Sequence, residues 1–165
     1  MTTIQGRVRK FGDNIDTDNI TPGKFLHLPM DEIVKHIFEL IVPDFPGSVQ
    51  PGDVILAGAN FGCGSSREQA TAAVIDLGIR FIICESMARI YFRNCIALGI
   101  YPILTKEVCY LFEEGDRIEI DLEQGIIVNP CSGKSITFEP LSGTPHLMVA
   151  GGGIVPLLKK VIGQS

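Results

Sequence analysis

The sequence predicts an α/β fold with a parallel core and an antiparallel appendage. Between residues 54 and 104 short apolar runs alternate with helix-forming segments, an order that implies parallel strands joined by crossovers. From residue 117 onward the pattern changes to three short strands separated by Gln124-Gly125 and Ser132-Gly133 turns. With 165 residues, 45% of them hydrophobic, the chain has the length and apolar material for one domain over residues 1–165; two full domains would be cramped.

Residues 4–10 read as a strand, and "FGDNIDTDNITPG" as a polar turn segment closed by Pro22 and Gly23. In "MDEIVKHIFELI", Ile33, Val34, Ile37, Phe38 and Ile41 fall at the offsets of one helical face, which predicts a short amphipathic helix. The Pro- and Gly-containing "VPDFPGSVQPGD" leads to the apolar run 54–57, short enough for a buried strand. A glycine- and serine-rich loop follows, then "REQATAAVIDL", rich in helix formers and stopped by Gly78. "RFIICE" is a second buried strand, "SMARIYFRNCIAL" a helix ending at Gly99, and "IYPIL" a third strand. Residues 105–114 predict a short helix, "RIEIDL", "GIIVN" and "SITFEP" the three further strands, and "IVPLLKKVI" a terminal helix.

A formal charge of −5 and the lack of a basic run give no footprint for a phosphate backbone or an anionic membrane. No apolar run is long enough to span a bilayer, and the first residues lack a leader pattern, so a soluble cytoplasmic protein is expected. Five cysteines, odd in number and without a C-x-x-C pair, point to reduced thiols rather than a disulfide framework or zinc ribbon. Their wide spacing also fails to supply an iron-sulfur site, so any such cofactor would come on another chain.

The loop "GANFGCGSSRE" leaves a predicted parallel strand and enters a helix, the position where such sheets gather ligands. It lacks the lysine of a P-loop and the acidic partner of a dinucleotide fingerprint. Its plainest use is a helix cap at Ser65 or Ser66, with Glu68 completing a capping box if Ser65 is the cap. That leaves Gly62 and Gly64 unexplained, and also Arg67, a cation at the positive end of a helix dipole that needs an anionic partner. A carboxylate ligand would suit helix-start amides and a guanidinium together. Cys63 as a nucleophile is a third reading, though no motif brings His27, His36 or His146 to it as a base. Asp13, Asp16 and Asp18 lie close in sequence, but the spacing lacks the glycine and glutamate of an EF-hand.

"NFGCGSSREQA", together with "GDNIDTDNITPGKF", "ARIYFRNCIALGIYPI" and the late "AGGGIVPLLKK", resembles the aconitase superfamily's swivelling domain, in the separate small-subunit form of 3-isopropylmalate dehydratase and homoaconitase. The similarity runs in order over nearly the whole chain and is closest to the compact version of that subunit. It implies a three-layer β/β/α swivelling domain. The implied activity is dehydration and rehydration of a hydroxy-dicarboxylic acid, with a [4Fe-4S] cluster on a large partner subunit and none on this chain. The resemblance assigns Ser65 as the base, Ser66 and Arg67 to a substrate carboxylate, and Asp18 to support of the catalytic site with Thr17 beside it. Gln69 stands where many relatives have histidine, so no histidine role carries over there.

The same resemblance places a substrate-discriminating loop at "KFLHLPM", where Leu26, His27 and Leu28 fall. Burying a third carboxylate against two leucines without a committed cation is costly, which favours an alkyl-substituted malate such as isopropylmalate. Homoaconitase and a dimethylmalate- or citraconate-type hydratase are the alternatives, with a heterodimer or heterotetramer as the assembly. A non-catalytic carboxylate-binding module and a thiol enzyme using Cys63 are rivals of other classes. In "RIYFRNC", Ile90, Phe92 and Cys95 read as core, Asn94 as structural, and Cys84 and Cys95 as small buried hydrophobes.

Overall fold

A computed structural model of the protein describes residues 3–65 and 67–163. Strand β1 (Thr3–Lys10) is followed by the one-turn helix α1 (Thr17–Ile20), a 3-10 turn at Gly23–Phe25, α2 (Met30–Ile33), a 3-10 turn at Val34–His36, and α3 (Phe45–Ser48). Next come β2 (Asp53–Ala57), α4 (Glu68–Asp76), β3 (Phe81–Cys84), α5 (Arg89–Leu98) and β4 (Tyr101–Leu104). After a 3-10 turn at Val108–Tyr110 the chain adds β5 (Arg117–Asp121), β6 (Ile126–Val128), β7 (Ser135–Thr137), α6 (Gly143–Ala150) and α7 (Ile154–Val161).

All seven strands form one sheet in the order β4-β3-β2-β1-β5-β6-β7. β1 to β4 pair in parallel, while β5 joins β1 antiparallel and β6 and β7 continue in that sense. Side chains alternate across a strand, so β2 serves two cores. Ile55 and Ala57 meet Ile82, Cys84 and the helical residues Ala70, Ala73, Val74, Tyr91 and Cys95. Val54 and Leu56 face the other way, with Val8, Ile83 and Ile103, against Ile118, Ile120 and Ile127 of the antiparallel strands. The sheet therefore curls so that its antiparallel half covers one face of its parallel half, with helices on the opposite face. This is the expected three-layer β/β/α arrangement.

The predicted helix over "MDEIVKHIFELI" is corrected: it stops at Ile33, tightens into a 3-10 turn and breaks at Phe38, which is left-handed with φ 57°. Tertiary packing overrides helix periodicity here. Phe38 is fully buried against Phe11 and Phe45, and its amide donates to Ile20 O at 2.9 Å. The helix expected at 105–114 is only a three-residue 3-10 turn, and "SMARIYFRNCIAL" becomes helical only from Arg89. Two elements read as loop, α1 and α3, are short helices, and α6 lies in a stretch given no element. Gly99 does end α5, in the left-handed conformation that suits a glycine. No helix among the described residues is long and apolar enough to cross a membrane.

At the amino end of β2, beside the second half of β1, the buried Asp53 carboxylate accepts from Arg7 Nε at 2.9 Å and Nη2 at 2.7 Å, from Arg9 Nη1 at 3.3 Å and from the Gln50 amide at 3.0 Å. Burial alone would raise its pKa, but the Arg7, Gln50 and Arg9 hydrogen bonds outweigh burial and hold it below the ordinary 3.8. A depressed carboxylate stabilises the fold fully above its unfolded pKa, and that contribution is lost as pH falls through the folded value. Urea midpoints should therefore fall below pH 3.8 in the wild type, and the fall should be shallower in Asp53→Asn, which has no carboxylate to protonate.

Candidate active site

β1, β2 and β3 are adjacent, so the loops leaving their carboxyl ends are neighbours. The first two loops go on pairing past the strands. Gly58 N donates to Gly12 O at 3.2 Å, Asn14 N to Ala59 O at 2.7 Å, Gly62 N to Ile15 O at 2.7 Å and Thr17 N to Cys63 O at 2.9 Å. On its other side the second loop takes Phe61 N to Ser86 O at 3.0 Å and Ala88 N to Phe61 O at 2.9 Å. The Gly58–Cys63 stretch is thus clamped between the loops after β1 and β3.

Two of the clustered aspartates serve this frame. Asp13 Oδ1 accepts from Ala59 N at 2.8 Å. Asp16 caps α1, accepting from Asn19 N at 2.7 Å, while its own amide donates to Asn19 Oδ1 at 3.2 Å. The capped α1 then presents Thr17 and Asp18 to the second loop. Thr17 Oγ1 lies 3.3 Å from Ser65 Oγ, and Arg67 Nη1 donates to Asp18 Oδ1 at 2.5 Å. Four of the predicted site residues, distant in sequence, are thereby brought together. Arg67 holds the Asp18 carboxyl below its ordinary range. Gly23 N also donates to Asp18, and a Cβ on Gly23 would stand 3.2 Å from that carboxylate and 3.5 Å from the guanidinium. Ser66 lies outside the described residues.

The Ser65 cap is corrected. Arg67 itself is the N-cap of α4, with φ −108° and ψ 105°, and its side chain makes no capping hydrogen bond; Ser65 sits two residues earlier, its carbonyl accepting from Arg67 N at 2.9 Å. Ser65 and Glu68 therefore form no capping box. The anionic partner that Arg67 requires at a helix start is Asp18 of this chain. The glycines are explained by sterics. Gly62 has φ +72° and abuts the Tyr91 ring, and Gly64 has φ +96° beside Thr17.

Beside this group opens a cleft of about 420 Å³ lined by Gly62, Gly64, Ser65, Arg67, Ala88, Arg89, Ile90, Tyr91 and Asn94. The first turns of α5 thus form its far wall, which the sequence reading missed. Ile90, expected in the core, is 50% exposed on this wall, and Asn94 is one turn further along the same face. That i,i+4 spacing was the available signal. A second cleft of similar volume, bounded by Arg80, Phe81, Tyr101, His146 and Val149, contains none of the predicted residues.

Leu26, His27 and Leu28 do not line the Ser65 cleft. Leu28 packs on the helix-side core, Leu26 is half-buried and His27 is exposed. The turn before them is pinned by Phe25 stacked on His36, with centroids 3.7 Å apart, and by Lys24 paired with Glu39 at 3.2 Å.

Among the described residues no three His, Cys, Asp or Glu side chains are placed to hold a metal ion. Cys84 and Cys95 are buried, and burial pushes the Cys84 thiol up to about 12 and Cys95 well above its ordinary value. Cys63 and Cys109 are half-buried and Cys131 is exposed. Such a dispersed donor set does not fit an iron-sulfur cluster.

Fold and site together define a swivelling-type domain that carries a serine, an arginine and a carboxylate at the ends of parallel strands. Residues 47–108 match the family model described as "Aconitase C-terminal domain". The chain is 45% identical to 3-isopropylmalate dehydratase small subunit 1 of Thermotoga maritima, with 95% of each chain covered. It is 42% identical to the methanogen homoaconitase small subunit of Methanothermobacter thermautotrophicus, over 96% of this chain and 92% of that one. The crystal structure of 3-isopropylmalate dehydratase from Methanocaldococcus jannaschii superposes with a TM-score of 0.89 at 44% identity, covering 98% of this chain and 96% of the other. The chain belongs to the family of 3-isopropylmalate dehydratase and homoaconitase small subunits.

Proposed function

We propose that this chain forms a single swivelling domain, residues 1–165, and is the small subunit of an isopropylmalate dehydratase-type hydro-lyase that works in the cytoplasm with a large subunit. The observation that carries the reading is the convergence of Ser65, Thr17, Arg67 and Asp18 beside one cleft. Ser65 removes the proton from the carbon next to the leaving hydroxyl, and the departing hydroxyl is handled by the large subunit, to which we also assign the [4Fe-4S] cluster. A serine hydroxyl is a very weak acid, so its alkoxide needs aimed donors in a site shielded from water. Thr17 is one such donor, and Arg67 supplies positive charge. Arg67 also holds a substrate carboxylate, together with Ser66. Asp18 occupies one edge of the guanidinium and leaves its other N–H groups to the ligand. Leu26 and His27 do not line the Ser65 cleft of this chain; they are assigned to border an alkyl substituent of the substrate in the site that the large subunit completes, with Leu28 supporting them from the core.

Asp18→Asn tests the positioning of Arg67. The wild-type carboxyl, depressed by Arg67, stays ionised down through pH 3.8, so the pair is intact at neutral pH and is lost only as pH falls further. The variant lacks that charge at every pH, and its KM should rise by about tenfold at neutral pH. Steady-state kinetics of the reconstituted enzyme give the answer.

The function itself is tested by mixing the purified chain with its large subunit and offering 3-isopropylmalate, homoaconitate and citraconate hydration in parallel. The expected result is turnover of the alkyl-substituted malate in the mixture and by neither subunit alone. Preference for homoaconitate would favour the second reading, which similarity to a homoaconitase small subunit keeps in play. Turnover of none of these would support a non-catalytic carboxylate-binding module.

A further inference from the structure

The segment that carries Ser65 and Arg67 is flanked at both ends by one side chain. Tyr91, in the first turn of α5, is buried beneath the Ser65 cleft. Its ring stands edge-on to Phe61 and directly against Gly62, the residues that lead into the segment. Its hydroxyl serves the far end, where it neighbours the hydroxyl of Thr71 on α4, the helix that the segment enters. Burial pushes the phenol well above its ordinary pKa, and the Thr71 hydroxyl opposes that as a hydrogen-bonding group. The phenol therefore keeps its proton at neutral pH and is able to donate it. Both hydroxyls are buried, and neither forms a hydrogen bond of normal geometry with a described residue. An unpaired buried hydroxyl costs stability, so packing alone gives no reason for these two where phenylalanine and valine have the same outline. Within the stretch 64–67 the only backbone hydrogen bond among the described residues is Arg67 N to Ser65 O at 2.9 Å. With so little of its own bonding, the stretch takes its course from the spacing of its ends.

We propose that Tyr91 and Thr71 are positioning residues for the base. The Tyr91 ring under Gly62 and its hydroxyl contact with Thr71 together set the separation of residues 61–62 from α4, and so the reach of Ser65 Oγ. This rests on the hydro-lyase reading above. Both act through the loop and neither meets the reacting atoms. A base displaced by about 1 Å loses up to about 10²-fold in rate, so the pair bears on kcat rather than on KM.

The test compares wild type, Tyr91→Phe, Thr71→Val, Thr71→Ser and the double variant Tyr91→Phe with Thr71→Val. Each is assayed on 3-isopropylmalate with saturating large subunit, beside urea denaturation of the chain alone. Tyr91→Phe and Thr71→Val should each lower kcat by about 3- to 30-fold with KM within about twofold of wild type. Thr71→Ser keeps the hydroxyl and should retain kcat within about twofold. The double variant strands no buried hydroxyl, so its urea midpoint should match or exceed that of wild type. Its kcat should nevertheless stay within about twofold of the worse single variant. A kcat that recovers together with the midpoint would make the pair merely structural and overturns the proposal. So does kcat within about twofold of wild type in both single variants, or a double variant more than about twofold below the worse single one. If Tyr91→Phe does not fold, the two Thr71 variants decide: a loss in Thr71→Val that Thr71→Ser lacks supports the proposal, and equal kcat in the two overturns it. If the wild-type complex turns over no hydroxy acid, the hydro-lyase reading fails by itself, and amide hydrogen exchange of the free chain decides this inference. Exchange at Gly62 and Ala70 raised at least about threefold in Thr71→Val and in the double variant, with the β2 amides unchanged, supports it. Equal protection overturns it.

Discussion

Replacing Ser65 by alanine is expected to lower kcat of the reconstituted enzyme by about 10²- to 10⁴-fold, the range for loss of a positioned general base. Stability should hardly change, within about 0.5 kcal/mol, as is usual for surface substitutions. Ser65 is exposed, caps no helix, and has Thr17 as its side-chain neighbour at 3.3 Å. This separation of effects is what distinguishes a reacting group from a structural one. A serine that capped α4 would have cost helix stability when removed, and here the cap position belongs to Arg67. Single-turnover rates beside a urea denaturation curve make the comparison, and kcat within threefold of wild type would remove Ser65 from the role of base.

Gly62→Val is expected to destabilise the chain by about 2–6 kcal/mol, summing left-handed backbone strain and overpacking. Gly62 has φ +72°, and a Cβ there would lie 2.2 Å from Tyr91 Cγ and 2.5 Å from Tyr91 Cβ. The Tyr91 ring has little room to yield, being 1% exposed and edge-on to Phe61 with centroids 5.4 Å apart. Relief must come from moving the loop that carries Ser65, so kcat should fall as well. Gly64→Ala separates the two causes. It has the strained φ of +96° but meets Thr17 Oγ1 only at 3.3 Å, so about 1–3 kcal/mol is expected. Gly12→Ala, with nothing within 4 Å and no positive φ, serves as a near-neutral control. Urea midpoints rank the three; equal effects at Gly62 and Gly12 would refute the steric reading.

The buried strands were readable because a continuous apolar run such as "VILA" has few other uses in a chain of this length. Helix ends were readable where chemistry is local, as at Gly99. The break at Phe38 was not, because its cause is a backbone bond to Ile20 and two phenylalanine rings from elsewhere in the chain. α6 escaped for the opposite reason. "GTPHLMVA" has no apolar stripe and none of its residues is fully buried, so no periodic pattern marks it. The loop alone drew notice to Arg67, as a helix-start cation in need of an anion, while Ser65, Asp18 and Thr17 were singled out for their roles by family resemblance. That Asp18 is the counter-ion of Arg67 depends on β1 and β2 lying side by side, which spacing along the chain does not encode. The α5 wall depends likewise on β3 being next in the sheet. Its residues looked like core because Tyr91 and Cys95, interleaved with Ile90 and Asn94, are core.

A competition titration most directly tests whether this chain supplies the base to a site completed by another subunit. Wild-type and Ser65→Ala chains are mixed in varying ratio at constant total, with the large subunit limiting, and turnover of 3-isopropylmalate is measured. Activity falling in proportion to the mole fraction of the variant is the predicted result, since both chains occupy the same place and only one carries the base. Activity unchanged by the variant, or unchanged when this chain is omitted altogether, would contradict it.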